Sequence, residues 1–366
     1  MGHVRKQMIS FLVSARCDLN CYYCYVPKMR KIDPNDEVID IEFAIVGMKD
    51  FFEQNKSRKI RFFGAGEPTT AFDIMKEIRN KTFEFVGNNL EVELQTNGYF
   101  SAQIADWVEK YVNTLWISCD GPPEIQDKQR PVKEGKRSSQ VVLHNIERFS
   151  QCPNMQFGIR VTVSEENFSK QVELIEYFHE LGVRYVCMAP TYASTANPDI
   201  TSPSLLEFAR YFVPAFLKAK ELRMFYQTHL IVNFDEKVGV YCRACTPCPH
   251  LTSDGYVSCC DWALFGPKYL PGPLQQLVYG RWDKKKKLII YDKEKITRIQ
   301  ARNTKTLETG ACSNCKILYH CAGGCIGKTI VITEDLYRPT IEWCEATRYL
   351  AEKIPLNQGL FPCLHS

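Results

Sequence analysis

Between residues 7 and 220, short apolar runs alternate six times with longer amphipathic ones, and this alternation constrains the fold more than any other feature of the chain. "QMISFLVSA", "KIRFFGAGEP", "LEVELQTNG", "TLWISCDGP", "QFGIRVTVS" and "VRYVCMAP" read as strands, each rich in β-branched or aromatic residues. The segments between them recur at helical spacing: Ile41, Ile45, Met48 and Phe52 after a capping Asp40, and "AQIADWVEKY" after a capping Ser101. Six such units in a row require a parallel sheet with helices outside it, because the crossovers are right-handed. A doubly wound sheet and a partial barrel both satisfy the pattern. In either, ligand-bearing residues sit at the C-terminal ends of strands. From about residue 230 the alternation stops and Cys, Pro and Gly punctuation takes over, which places a domain boundary there, 1–230 against 231–366.

Seventeen cysteines need a reason. The chain lacks an export signal and is too long for a small disulfide scaffold, so a reducing, cytoplasmic setting and metal binding are expected. No apolar stretch reaches the roughly 20 residues of a membrane span, and the Met-Gly start lacks the Ser or Thr of a myristoylation signal. The +4 formal charge is too small and too evenly spread to imply a nucleic-acid partner, and the one basic run, "KKKKL" at 284–288, reads as a solvated turn. "ARCDLNCYYCYVPK" after the first strand holds Cys17, Cys21 and Cys24 with no fourth cysteine near. Three thiolates can hold three irons of a [4Fe–4S] cube and leave a corner open. By spacing alone, a zinc site completed by a distant His or Cys fits as well.

The surroundings of that loop resemble the radical S-adenosylmethionine superfamily. The Cys-x3-Cys-x2-Cys pattern, Tyr23 before its last cysteine, "GAGEP" after the second strand, "QTNG" after the third and "ISCDGPPEIQDKQRP" after the fourth stand in order at successive strand ends. The resemblance implies a partial (β/α)6 barrel of the TIM type. It also implies a cluster whose open iron chelates S-adenosylmethionine, reductive cleavage to a 5′-deoxyadenosyl radical, and hydrogen abstraction from substrate. Carried over by position, Gly66 and Glu67 receive the cofactor's amino group, Tyr23 lies by the adenine, and Ser118 and Arg130 hold ribose or carboxylate. Ala65 departs from the commoner Gly-Gly-Glu-Pro, which is tolerable unless that position needs a positive φ angle.

"CSNCKILYHCAGGC" followed by Cys344, with "CTPCPHLTSDGYVSCC" upstream, resembles the SPASM extension of that superfamily, whose relatives include anaerobic sulfatase-maturating enzymes and peptide-modifying maturases. A pair of zinc ribbons is the alternative. The resemblance implies two auxiliary [4Fe–4S] clusters, three clusters in all. The outer one is expected on Cys312, Cys315, Cys321 and Cys344. The inner one is expected on Cys260 and Cys325 with two upstream cysteines. Cys245 fits the spacing best and Cys242 is second; Cys248 competes, as Cys259 does with Cys260. Of the six cysteines left over, Cys119 is expected to face away from the site, and Cys187 ends the sixth strand facing either way. Asp261 is the candidate proton acceptor, the role of an Asp in the corresponding place of sulfatase-maturating enzymes. His250 and His320 read as surface residues or as neighbours of ligands.

The chain is therefore expected to be a radical S-adenosylmethionine oxidoreductase with a C-terminal iron–sulfur domain. It would oxidise or cross-link a peptide or protein side chain, drawing electrons from a flavodoxin or ferredoxin. A dehydrogenase or epimerase of a sugar or aminocyclitol is the alternative, and a zinc-binding module the third reading. With sixteen residues before Cys17, a leader-binding domain is not expected there, so a peptide substrate calls for a separate recognition protein or a short motif read by the barrel mouth.

Overall fold

The computed structural model describes residues 7–24, 26, 32–133, 135–191 and 201–357. Cys363 lies outside them. Seven strands run parallel and in chain order: β1 (Ile9–Leu12), β2 (Lys59–Phe63), β3 (Glu91–Thr96), β4 (Thr114–Ser118), β5 (Gln156–Val163), β6 (Tyr185–Pro190) and β7 (Phe225–Gln227). Sequential order excludes a doubly wound sheet, whose order reverses at a switch point. It is the order of a (β/α) barrel, here left open. The short seventh strand was not foreseen.

Helices α1 (Ile41–Gln54), α2 (Phe72–Val86), α3 (Ala102–Tyr111), α4 (Pro123–Gln129), α5 (Ser139–Ser150), α6 (Gln171–Glu180) and α7 (Leu205–Glu221) fill the crossovers. Asp40 caps α1 by accepting from the Glu42 and Phe43 amides, as expected. Ser101 stands at the cap position of α3 without a side-chain bond. The buried face of α1 is centred on Phe43, Met48, Phe51 and Phe52, whereas Ile41 and Ile45 are only half buried. Gly47 faces the far half of the chain, where a side chain would collide with Leu251 and crowd Ile289.

Residues beyond 230 do not build a separate sheet. β8 (His250–Leu251) adds in parallel to β1, and β9 (Tyr256–Ser258), β10 (Val278–Asp283) and β11 (Leu288–Tyr291) extend that edge as an antiparallel meander. The lysines of 284–287 make the exposed turn between β10 and β11. Five helices follow: α8 (Lys293–Gln300), α9 (Thr304–Glu308), α10 (Leu318–Cys321), α11 (Ile326–Thr333) and α12 (Ile341–Lys353). α12 packs on α7, near the opposite edge of the sheet, where Glu342 caps the Leu205 amide at 2.7 Å. The C-terminal segment thus clasps the parallel sheet from both sides. No helix among the described residues is long and apolar enough to cross a membrane.

Candidate active site

Strand alternation sorts the residues of the sheet. On β4 and β5, Leu115, Ile117, Phe157, Ile159, Val161 and Val163 pack outward into the helix layer. Trp116, Ser118, Gly158, Arg160 and Thr162 have the opposite parity and face inward. Gly158 must be a glycine, because a Cβ there would sit 2.5 Å from the Trp116 ring. Cys187 packs with Trp116 and Tyr185 on the inner side of β6, in the strand's interior rather than at its end. Cys119 belongs to the outer core, facing away as expected.

The expected cofactor residues gather at the C-terminal ends of these strands. The loop after β1 and the corner after β2 are laced together: the Gly66 amide donates to the Ser14 carbonyl at 2.9 Å and the Glu67 amide to the Arg16 carbonyl at 2.7 Å. A side chain at Gly66 would run into the Arg16 carbonyl. Ala65 does not have positive φ and fits without strain. Glu67 is 2% exposed. Its carboxylate accepts from the Thr69 amide and hydroxyl, the Thr96 hydroxyl at 2.7 Å and the Asn97 amide at 2.7 Å. Burial nevertheless pushes its carboxyl up to about 7. Asn97 also donates to Asp18 at 2.7 Å and lies 3.9 Å from the Cys17 sulfur, so "QTNG" and the cysteine loop share one corner.

Cys17, Cys21 and Cys24 are half buried on that loop, with a turn from the Cys24 amide to the Cys21 carbonyl. Burial, and then charge from Glu67, pushes the Cys17 thiol up to about 12; burial pushes Cys21 to about 11, with Cys24 adding to it. Tyr23 donates to Asp120 at 2.5 Å and lies under the Arg130 guanidinium, 5.3 Å from ring centre to cation. Arg130 is forked onto Asp120 at 2.9 and 3.1 Å and reaches the Thr162 hydroxyl at 3.1 Å. Its charge is thus already matched by a buried carboxylate. Ser118 is half buried and pairs in register with Arg160.

The C-terminal cysteines fall into two neighbourhoods. Cys242 is pushed well up by its hydrogen bond with Cys245, by burial, and by the charges of Cys245, Cys325 and Cys260. Cys312 is pushed up to about 11 by burial and by Cys344 and Cys315, and Cys321 to about 12 by burial and the same neighbours with Cys312. The first group is Cys242, Cys245, Cys260 and Cys325; the second is Cys312, Cys315, Cys321 and Cys344. Cys248 and Cys259 are buried beside the first group: Cys248 feels Arg243 and Arg61, and Cys259 feels Cys245 and Cys248. The turn joining Cys321 to Cys325 carries three left-handed residues, Ala322, Gly323 and Gly324. Among the described residues, no three Cys, His, Asp or Glu side chains converge tightly enough to hold one metal ion. Each group consists of four thiols, a donor set that iron–sulfur clusters take.

Asp261 lies in the sheet interior with partners the sequence did not suggest. Both oxygens are taken by the Arg61 guanidinium, one at 3.1 Å and the other closer, and His250 Nδ1 is 3.5 Å away. Arg61 and His250 hold its carboxyl well below the usual range despite burial. The side chain is still 43% accessible, so it opens on space inside the fold. His250 and His320 are both buried, not surface residues. His320 meets the Asn233 carbonyl at 3.2 Å. Beyond Asp261 the interior holds Arg160, which lies 3.4 Å from His229 and donates to the Gln95 amide oxygen at 2.9 and 3.0 Å. Lys328 lies over the Trp262 and Trp343 rings, its ammonium pushed down to about 7 by burial. Sequence reasoning missed Arg61 and Arg160, although a charged residue of inward parity within an apolar strand was the available signal.

Residues 11–177 match the Radical SAM superfamily. An uncharacterized protein of Methanocaldococcus jannaschii is 30% identical over 176 residues, 48% of this chain and 59% of that protein. The serine-type anaerobic sulfatase-maturating enzyme of Bacteroides thetaiotaomicron is 24% identical over 49% of this chain and 44% of its own length. The chain thus matches about half the length of these curated relatives. Among solved structures, anSMEcpe with bound AdoMet superposes with a TM-score of 0.69 at 17% identity, covering 94% of this chain and 96% of that one. SuiB of Streptococcus suis bound to S-adenosylmethionine gives 0.65 at 18% identity, covering 92% and 77%. The fold is therefore shared along nearly the whole chain, cysteine-rich segment included.

Proposed function

From a chain whose residues 11–177 form a Radical SAM domain, we propose an oxidoreductase of peptide or protein side chains, with residues 1–230 as the S-adenosylmethionine half and 231–366 as an auxiliary-cluster domain. The observation that carries the reading is the shared corner of the three-cysteine loop, Gly66-Glu67 and Asn97 at consecutive strand ends of one parallel sheet. Bound there, a [4Fe–4S] cluster and S-adenosylmethionine would supply reductive cleavage and hydrogen-atom abstraction. In this reading Cys17, Cys21 and Cys24 hold that cluster. Glu67 faces the cofactor's amino group, Tyr23 its adenine, and Ser118 its ribose or carboxylate. Arg130 acts through its fork with Asp120, which fixes Tyr23 and the segment after β4. The two C-terminal cysteine groups hold the inner and outer auxiliary clusters and accept the second electron.

Asp261 takes the substrate's proton in this scheme. Held ionised by Arg61, it is a weak base, suited to a donor made acidic by oxidation. The peptide assignment is supported by the solved neighbours, anSMEcpe with bound Kp18Cys peptide and SuiB bound to precursor peptide SuiA. A flavodoxin or ferredoxin would supply the electron.

Anaerobically purified protein should be brown and carry about twelve irons per chain. With dithionite and S-adenosylmethionine it should release 5′-deoxyadenosine without substrate, and Cys21→Ala should abolish that release. Colourless protein carrying zinc, or cleavage that survives Cys21→Ala, would overturn the reading. A short Cys- or Ser-rich open reading frame beside the gene would mark a peptide substrate, and sugar-pathway genes a small molecule.

A further inference from the structure

Arg302 is completely buried and ranks first in size among the fully buried side chains of the described residues. It lies just past the C-terminal end of α8 and points between the two cysteine groups. Its Nε donates to the Leu336 carbonyl at 2.6 Å, Nη2 to the Gly323 carbonyl at 2.7 Å and Nη1 to the Ala322 carbonyl at 3.3 Å. Nη1 also lies 3.9 Å from the Cys245 sulfur. Among the described residues no carboxylate stands within ion-pairing distance of it, unlike Arg61 and Arg130. A guanidinium does not shed its proton in a protein, so burial leaves a full charge in a medium that solvates it poorly. Carbonyl dipoles offset part of that cost. The Cys245 sulfur, a group able to carry a full negative charge, is in contact with the guanidinium, and Cys312 of the other group also lies within the cation's field.

We propose that Arg302 is the counter-cation of the inner auxiliary cluster: it lies against the Cys245 sulfur while clamping the 322–323 turn that joins a ligand of one cluster to a ligand of the other. The proposal rests on the reading of Cys242, Cys245, Cys260 and Cys325 as that cluster's ligands. A fixed positive charge in a dry site favours the more negative, reduced state, so Arg302 raises the cluster's reduction potential. It is a positioning and charge-matching residue, not one that touches substrate. The chain would thereby tune its electron acceptor without contacting the radical chemistry.

The test uses the anaerobically reconstituted full chain. Iron and sulfide are counted, and the auxiliary clusters are titrated by potential with an electron paramagnetic resonance readout, in wild type, Arg302→Met and Arg302→Lys. Arg302→Met should keep its iron and shift one auxiliary potential to more negative values, and Arg302→Lys, which keeps the charge, should return most of that shift. Unchanged potentials in a fully loaded Arg302→Met protein would overturn the proposal and leave Arg302 a strut for three carbonyls. If Arg302→Met fails to fold, Arg302→Gln, which keeps donors for the turn but not the charge, decides: a loaded protein with one auxiliary potential shifted to more negative values supports the proposal, and unchanged potentials overturn it. A wild-type iron count that Cys245→Ala leaves unchanged would instead sink the ligand reading itself.

Discussion

Asp261 and Arg61 stand 200 positions apart in the chain, yet the guanidinium takes both carboxylate oxygens. An Asp read from sequence as a base becomes, in this setting, a carboxylate that protonates only with difficulty. Asp261→Asn should therefore spare cleavage of S-adenosylmethionine and block product; unchanged product formation would remove its role. It should also leave Arg61 without its carboxylate, so a fall in melting temperature is expected beside the catalytic loss. Glu67 is the opposite case, a carboxyl raised to about 7 from a reference of 4.5 chiefly by burial. Its folded pKa lies above the unfolded one, so the stability it contributes is whole below about pH 4.5 and lost as pH rises through 7. Between pH 5.5 and 8 the wild type should lose about 2 kcal/mol relative to Glu67→Gln. Parallel melting curves of the two proteins against pH would refute this. Added S-adenosylmethionine, whose ammonium favours the ionised carboxylate, should flatten the wild-type curve.

The elements carry the site through a few backbone requirements. Gly66 lets the corner after β2 lie against the loop after β1, and Gly66→Ala should destabilise the chain by about 2 kcal/mol and release iron from the N-terminal loop. Full iron and an unmoved melting temperature would show the seam to be dispensable. The Cys321–Cys325 turn depends on left-handed backbone, with Gly324 (φ +72°) lying against the Trp343 ring. Gly324→Ala should reduce the iron count by about four atoms or more, because in the proposed ligand sets both auxiliary clusters would draw a ligand from this turn. Strand period 2 made Cys119 legible as outward-facing. It could have revealed Arg61 and Arg160 too, had the charged member of each apolar strand been followed inward.

At the scale of the molecule, the C-terminal segment extends the sheet at β1 and packs α12 on α7, bringing Asp261, His250 and Lys328 to the open interior of the sheet. The two cysteine groups that result separate the competing candidates. Cys242→Ala and Cys245→Ala should each reduce iron from about twelve to about eight per chain, whereas Cys248→Ala and Cys259→Ala should leave about twelve. Equal iron loss from Cys248→Ala would reassign the inner ligands. The family resemblance implied Cys312, Cys315, Cys321 and Cys344 as one set; short loops keep the first three near one another, whereas Cys344 joins them from a distant part of the segment. The cysteine spacings left Cys242, Cys245 and Cys248 open, because the three stand so close in sequence that only the path of the chain decides which sulfurs turn toward Cys260 and Cys325.

The alternation of apolar and amphipathic runs determined a parallel α/β sheet, and the ordered motifs at its strand ends marked the corner proposed to hold the cofactor, because both are written in contacts between near neighbours or in fixed spacings. Tertiary structure alone decided the rest: the open sequential sheet, its extension by the C-terminal segment, and the charges set around Asp261, Glu67 and Arg302. Burial and long-range pairing govern those charges, and neither is a property of a residue's place in the chain.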